Sequence, residues 1–239
     1  VSRPGTIPVY VVSLARRDDR RASIAAQLPK NSDLLFSWEI GGDFDHRDFP
    51  QALPKGIKFF PWKIESENPW WNRPLKYGEV ACTLNHLACW KHASERQLSN
   101  VIILEDDAIL TRSLVDIVVQ LDVLSELDAR WDLLYLGREK LAVDEDFSRQ
   151  FVKPGFSYCT FGYCLSKWGL EKLLDYQPHQ MIMPIDEFLP ATFLEHPRND
   201  VRSAICPTLR AYALREDCVR EADKNQFGSD TEESSAIEV

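Results

Sequence analysis

The hydrophobic positions of this chain change period several times along its length, and those changes predict strands alternating with helices. IPVYVVSL (7–14) is apolar almost throughout and rich in β-branched residues, the pattern of a central strand covered on both faces. The charged stretch behind it, ARRDDRRASIAAQL, predicts a basic loop and a helix, and LFSWEIGG (35–42) a second strand. Residues 43–78 carry Pro50, Pro54, Pro61, Pro69 and Pro74 among many aromatics without a sustained period, which predicts a long functional loop with short helical pieces. From Gly78 to Ser94 the apolar residues recur at helical spacing, and this helix feeds the strand VIILED. RSLVDIVVQLDVLSEL (112–127) predicts an amphipathic helix and WDLLYLG (131–137) a strand. YCTFGYCLSKWGLEKLLDY then reads as a strand followed by a helix that starts near Ser166. This alternation gives an α/β fold with a mostly parallel central sheet. Beyond Arg215 the composition shifts to eight acidic residues against Arg220 and Lys224, so residues 216–239 read as an acidic extension or lid on a single domain of residues 1–215.

Composition narrows the function classes. With 44% hydrophobic and 11% aromatic residues, 239 residues can bury a sizeable core. A formal net charge of −9 argues against a nucleic-acid partner, which requires a basic field. No stretch reaches the roughly 20 apolar residues of a membrane-spanning helix. The opening VSRPGTIPVY lacks the charged start, apolar middle and cleavage site of a signal peptide, so it identifies no compartment. The six cysteines form no CxxC pair and do not cluster with the five histidines, which argues against structural zinc. They are expected to be reduced core residues, with one disulfide involving Cys206 or Cys218 as the alternative.

Four positions carry candidate chemistry. VIILEDDAIL runs an apolar strand straight into Glu105, Asp106 and Asp107, three adjacent charges that resist burial unless a cation meets them. They are either an acidic surface turn or oxygen ligands for Mg²⁺ or Mn²⁺ bridged to a diphosphate. Arg16, Arg17, Arg20 and Arg21 follow the first strand, where guanidinium groups can fork onto phosphate or simply pair with Asp18 and Asp19 on a solvated face. His86 is a ligand or a helix residue of the core. Asp186 and Glu187, in MPIDEFLP, either cap a helix or include a general base for an acceptor hydroxyl.

In this order, VYVVSLARRDDRR, RPLKYGEVACTLNHLACWKHA, VIILEDDAIL, WDLLYLGREK, GYCLSKWGLEKLL and MPIDEFLPATFLEHP resemble glycosyltransferase family 25. The family contains bacterial lipooligosaccharide galactosyltransferases and procollagen hydroxylysine galactosyltransferases. DEFLP and the near-terminal GSDTEESS lean toward the collagen branch. The resemblance implies a GT-A type nucleotide-sugar-binding α/β sandwich. It implies an inverting, metal-dependent enzyme that uses Mn²⁺ or Mg²⁺ to move galactose from UDP-galactose to a hydroxyl acceptor. That acceptor is hydroxylysine of a collagen-like protein, placing the enzyme in the endoplasmic reticulum lumen. The alternatives are a lipooligosaccharide or other surface glycan, built in the bacterial cytoplasm, and a non-catalytic scaffold domain of the same fold.

Site residues follow from the resemblance by motif. Asp107 is the direct metal ligand and Glu105 the second, Asp106 contacts ribose or sugar, Asp186 is the base and Glu187 its reserve. Ser13, Leu14 and Arg16 meet uracil and ribose, and Arg20 or Arg21 holds phosphate. Lys76, Gly78, Glu79, Asn85 and His86 pack beside the donor, with Asn85 standing where the family commonly has serine. Gly137 and Arg138 close a strand facing the same cleft, and FFPWKIESENPWW (59–71) shapes the acceptor side or packs in the core. GT-A enzymes commonly complete the metal shell with a late histidine. Here none follows His196, and either Asp217, Asp223 or Asp230 substitutes or water fills the position.

Overall fold

A computed structural model describes residues 7–29 and 36–237. The reading of the first six residues, and Leu35 of the second strand, lie outside the described residues. In chain order the elements are β1 (Ile7–Val12), α1 (Asp18–Gln27), β2 (Phe36–Gly41), α2 (Tyr77–Glu95), β3 (Asn100–Glu105), β4 (Ala108–Leu110) and α3 (Leu114–Leu127). They continue with β5 (Leu133–Lys140), β6 (Glu145–Asp146), β7 (Phe151–Lys153), β8 (Ser157–Ser166), α4 (Lys167–Asp175) and α5 (Ile185–Ala191). The last are α6 (Asn199–Ala204), β9 (Ala211–Leu214), β10 (Val219–Glu221), α7 (Lys224–Phe227) and α8 (Asp230–Glu233).

The period-2 pattern of the apolar strands divides the core in two. Tyr10, Ile103 and Tyr135 turn to one face with residues of α2, α4 and α5, while Val9, Val11, Ile102, Leu104 and Leu134 turn to the other with Ile24 of α1 and Ile117, Leu121 and Leu124 of α3. The sheet is therefore covered on both sides, which is why its strands read as continuous apolar runs. Its order is β2-β1-β3-β8-β5-β9-β7-β6. The predicted α/β class holds, with parallel pairing at β2-β1-β3 and β5-β9, but the sheet is mixed: β8 runs antiparallel to β3 and β5, and β7 antiparallel to β9 and β6. Helix starts follow local chemistry: Ser113 accepts the Asp116 N–H at 3.2 Å while Asp116 accepts the Ser113 N–H at 3.2 Å, a reciprocal cap that opens α3. Ser166 caps α4 by accepting the Gly169 N–H at 3.2 Å.

Two readings of the chain change. Residues 43–76 form turns with no helix among the described residues, and their aromatics divide: Phe60 and Trp62 are buried, whereas Trp70 stays 46% exposed beneath the Arg73 guanidinium. The acidic stretch after Arg215 is woven into the body. β10 pairs antiparallel with β4, Cys218 and Val219 are buried, and the Cys218 N–H donates to the Leu136 carbonyl at 2.8 Å. A three-residue strand in polar sequence has no periodicity to detect, so composition alone gave no sign of it. All six cysteines are free.

Gly137 is what lets β10 cross β5. A Cβ there would lie 1.8 Å from the Val219 carbonyl oxygen, far inside contact distance. Gly137→Ala is expected to displace β10 and lower stability by about 1–3 kcal/mol, measured by urea unfolding. Unchanged stability would mean that β10 is not seated there.

Candidate active site

The parallel strands β1 and β3 end side by side, with Val12 opposite Glu105, and the Asp106 N–H donates to the Val12 carbonyl at 3.1 Å as the chain turns away. The three carboxylates thus emerge at the carboxyl edge of the sheet, where open α/β sheets form ligand crevices. Strand alternation sends Glu105 to the α2 side, where the Thr160 hydroxyl donates to it and His86 Nε2 lies 3.5 Å away. Asp106 and Asp107 meet Arg20: its Nη1 donates to Asp106 at 3.1 Å and Asp107 at 2.9 Å, and its Nη2 donates to the Gly228 carbonyl at 2.6 Å. Arg20 thus sets a guanidinium against two of the three carboxylates.

A cleft of about 440 Å³ opens onto this edge and also receives Asp186, Tyr158, Trp70 and Glu221. β10 delivers Glu221, which stands opposite Ala108, while the Ala222 N–H donates to the Asp107 carbonyl at 2.8 Å. Glu221 was missed by motif reading, since only the antiparallel pairing brings it beside the triplet. Of the late aspartates considered as substitutes for a histidine, Asp223 caps α7, Asp230 pairs with arginines, and Asp217 faces Lys140 and Arg138.

Burial and mutual repulsion tune these groups. Burial, with Glu105 next in weight, pushes Asp107 up to about 7. Burial also raises Asp186 to about 8, reinforced by the charges of Glu105, Glu187 and Glu79. Glu105 moves the other way: burial raises it, but hydrogen bonds from His86 and Thr160, with the charge of Arg20, outweigh that and hold it low. Asp186 lies in the first turn of α5 and accepts a hydrogen bond from the Cys159 backbone. Cys159 has φ 69°, in the left-handed region that non-glycine residues seldom occupy, next to the register shifts between β5 and β8.

Other predicted residues are placed differently. Glu187 is nearly fully buried and holds Trp71 Nε1 at 2.8 Å, the Tyr158 hydroxyl at 2.8 Å and His196 Nε2 at 2.7 Å, so it anchors α5 and is not a free base. Glu79 accepts a forked pair from Arg73 at 2.9 and 2.6 Å and the Lys76 N–H at 2.8 Å, capping α2. Asn85 uses its amide on the Phe44 backbone, at 2.8 and 3.1 Å, which fixes the loop after β2. Ser13 and Leu14 line a narrow neighbouring pocket of about 70 Å³ with Asp106, Asn85, Asp230 and Thr231. Arg16 pairs with Asp45 at 2.7 Å and with Asp230, while Arg17 also pairs with Asp230. Arg21 donates to Ser13 Oγ at 3.2 Å. Lys76 donates through Nζ to the Glu232 carbonyl. Arg138 is not among the residues lining the cleft, which its neighbour Glu139 reaches, and it donates instead to Ser157 and to Asp144 at 2.6 Å.

The forked geometry of Arg20 is testable. Arg20→Lys keeps the charge but cannot span two carboxylates and a carbonyl, so it is expected to cost about 1.5–3 kcal/mol. Amide exchange in residues 224–237 should accelerate with it. Unaltered exchange there would separate Arg20 from the C-terminal segment.

Residues 6–189 match the family described as Glycosyltransferase family 25 (LPS biosynthesis protein). The chain is similar to the probable inactive glycosyltransferase 25 family member 3 of Rattus norvegicus, 32% identical over 246 residues that cover 98% of this chain and 42% of that protein. It is also similar to procollagen galactosyltransferase 1-A of Xenopus laevis, 33% identical over 210 residues covering 83% and 33%. A crystal structure of HddC from Yersinia pseudotuberculosis matches with a TM-score of 0.37 and 17% identity, over 96% of this chain and 78% of that one. The chain thus spans less than half the length of the two curated relatives. With most of its length matching the family and a third of its residues identical to these relatives, this chain belongs to glycosyltransferase family 25.

Proposed function

We propose that this cleft transfers galactose, with inversion, from UDP-galactose to a hydroxyl group, and that the acceptor is hydroxylysine of a collagen-like chain. The observation that carries the reading is Asp186, a half-buried carboxylate in the same cleft as Glu105 and Asp107, with a pKa of about 8. A base tuned that close to neutral pH can take the proton of an acceptor hydroxyl as its oxygen attacks the anomeric carbon. One displacement needs one base, and Glu187 supports it by fixing the first turn of α5. Trp70 and Tyr158 offer aromatic faces on the acceptor side, suited to an extended peptide or a sugar ring.

Glu105 and Asp107 fit a divalent cation such as Mn²⁺ or Mg²⁺: both are hard oxygen donors, and Asp107 Oδ1 is buried without a hydrogen-bond partner among the described residues. An ion bound there supplies positive charge for the leaving diphosphate. Arg20 neutralises part of the triplet and ties this edge to the Gly228 carbonyl.

A second reading, a non-catalytic domain that keeps the fold, draws on the small volume of the pocket lined by Ser13, Asp230 and Thr231 and on relatives named as inactive. UDP release from UDP-galactose separates the two, assayed with and without Mn²⁺ against a hydroxylysine-containing collagen peptide and a panel of surface-glycan acceptors. Turnover on the peptide supports the proposal, and turnover on glycans alone moves the acceptor to a bacterial-type hydroxyl. No turnover together with no UDP binding by calorimetry establishes the non-catalytic reading.

A further inference from the structure

Behind Glu105 lies a buried row of polar groups that the proposed chemistry does not use. Trp90 Nε1 lies 2.8 Å from the Tyr163 hydroxyl, which lies 2.8 Å from His86 Nδ1, and all three residues are fully buried. His86 and Trp90 are one turn apart on α2, while Tyr163 comes from β8, paired with Ile103 of β3. The far ring nitrogen, His86 Nε2, is 3.5 Å from both Glu105 Oε1 and the Thr160 hydroxyl oxygen.

We infer that this row has a single hydrogen-bond direction, from Trp90 through Tyr163 to His86, and that it makes His86 a positioning residue whose Nε2–H holds Glu105. The indole N–H can only donate, so the Tyr163 oxygen accepts from it. The Tyr163 hydrogen must then find an acceptor, and His86 Nδ1 is the one available among the described residues. An Nδ1 that accepts leaves the proton of the neutral ring on Nε2, facing the Glu105 carboxylate. The reverse direction would strand the Tyr163 hydrogen in the core and set a nitrogen lone pair against a carboxylate. The Thr160 hydroxyl, which donates to the same Oε1, completes a two-donor grip that leaves Glu105 Oε2 for the cleft.

This direction also decides a competing use of the cluster. Cys82 Sγ, His86 Nε2 and a Glu105 oxygen lie within 4.8 Å of one another, spacing that suits a thiophilic metal such as Zn²⁺. Such a metal needs the Nε2 lone pair, which the row commits to an N–H. His86 therefore serves Glu105 from behind and is not itself a ligand.

The direction of the row is independent of the proposed donor chemistry, and only its effect on a metal at Glu105 rests on that reading. Two-bond ¹⁵N–¹H spectra of histidine-labelled full-length protein at neutral pH should show His86 as the neutral Nε2–H tautomer, with a slowly exchanging Trp90 indole proton. Tyr163→Phe should erase the tautomer preference and weaken Mn²⁺ binding by about 10-fold or more. His86→Gln, which keeps an N–H donor, should bind Mn²⁺ more tightly than His86→Leu. An Nδ1–H tautomer or a doubly protonated ring in the wild type overturns the inference. So does a Co²⁺ thiolate charge-transfer band that vanishes in Cys82→Ser. The expected tautomer in a wild type that binds no Mn²⁺ would instead uphold the row and defeat the metal reading of Glu105 and Asp107.

Discussion

Asp186→Asn is expected to lower kcat by about 10²- to 10⁴-fold, the range that a positioned general base supplies, while the folded chain becomes more stable. Both effects come from one cause. The carboxylate sits in a cleft that burial and the charges of Glu105, Glu187 and Glu79 make hostile to another negative charge, so its pKa rises from 3.8 to about 8. Below pH 3.8 the group is protonated in both folded and unfolded chains and contributes no difference. Between 3.8 and about 8 the folded chain holds a proton that the unfolded chain has lost, so stability falls as pH rises through that window. Asparagine removes the penalty, so its stabilising effect should grow toward pH 8 and then level off. The wild-type rate should rise with pH along a limb centred near 8, and that limb should be absent from the variant. Thermal unfolding and kcat measured over the same pH series check both halves, with UDP binding by calorimetry expected to stay near the wild-type value. A variant that turns over normally would remove Asp186 from the chemistry.

Asp107→Ala is expected to reduce Mn²⁺-dependent UDP binding by more than about 100-fold, since loss of supporting contacts alone commonly costs about 10- to 100-fold in metal affinity. Chelation of the wild type should reproduce that loss, and added Mn²⁺ should restore only the wild type. Arg20 sharpens the expectation. With Asp107 gone its Nη1 keeps Asp106 and its Nη2 keeps the Gly228 carbonyl, so the fold should survive the change. Binding calorimetry with UDP and Mn²⁺ together, beside a far-ultraviolet spectrum, separates loss of the ligand from loss of the fold. Wild-type affinity in the variant would leave Asp107 without a metal role.

How much of this was legible in the chain depends on whether the signal is local. β1, β3 and α2 announced themselves by period, and the triplet after VIILE was conspicuous because three adjacent carboxylates at a buried strand end require a counter-charge. Asp186 was visible as an acid after a proline at a helix start. Sequence could not tell which cation meets the triplet, because the same arginine can fork onto phosphate or onto aspartate, and only the approach of α1 to β3 decides. Glu221, Thr160 and Cys82 were hidden for a similar reason: each reaches the cleft through pairing or packing with residues far along the chain. Glu187 and Asn85 were polar residues near the right place, yet their partners, Tyr158 with His196 and the Phe44 backbone, lie outside their own segments.

The segment of Asp230 and Thr231 that lines the narrow pocket is laced to residues far earlier in the chain. Arg16 and Arg17 reach Asp230 across more than 200 positions, and the Gly78 N–H donates to Ser234 Oγ across 156. A Cβ on Gly78 would stand 2.6 Å from the Thr231 Cα, so the two backbones are in direct contact. Contacts of such sequence separation carry the entropy of closing a long loop, and the sheet between them is what brings the two segments together. The end of β1 is therefore held by residues more than 200 positions away, so a lesion in the intervening sheet that parts these segments would also release Arg16 and Arg17 from Asp230.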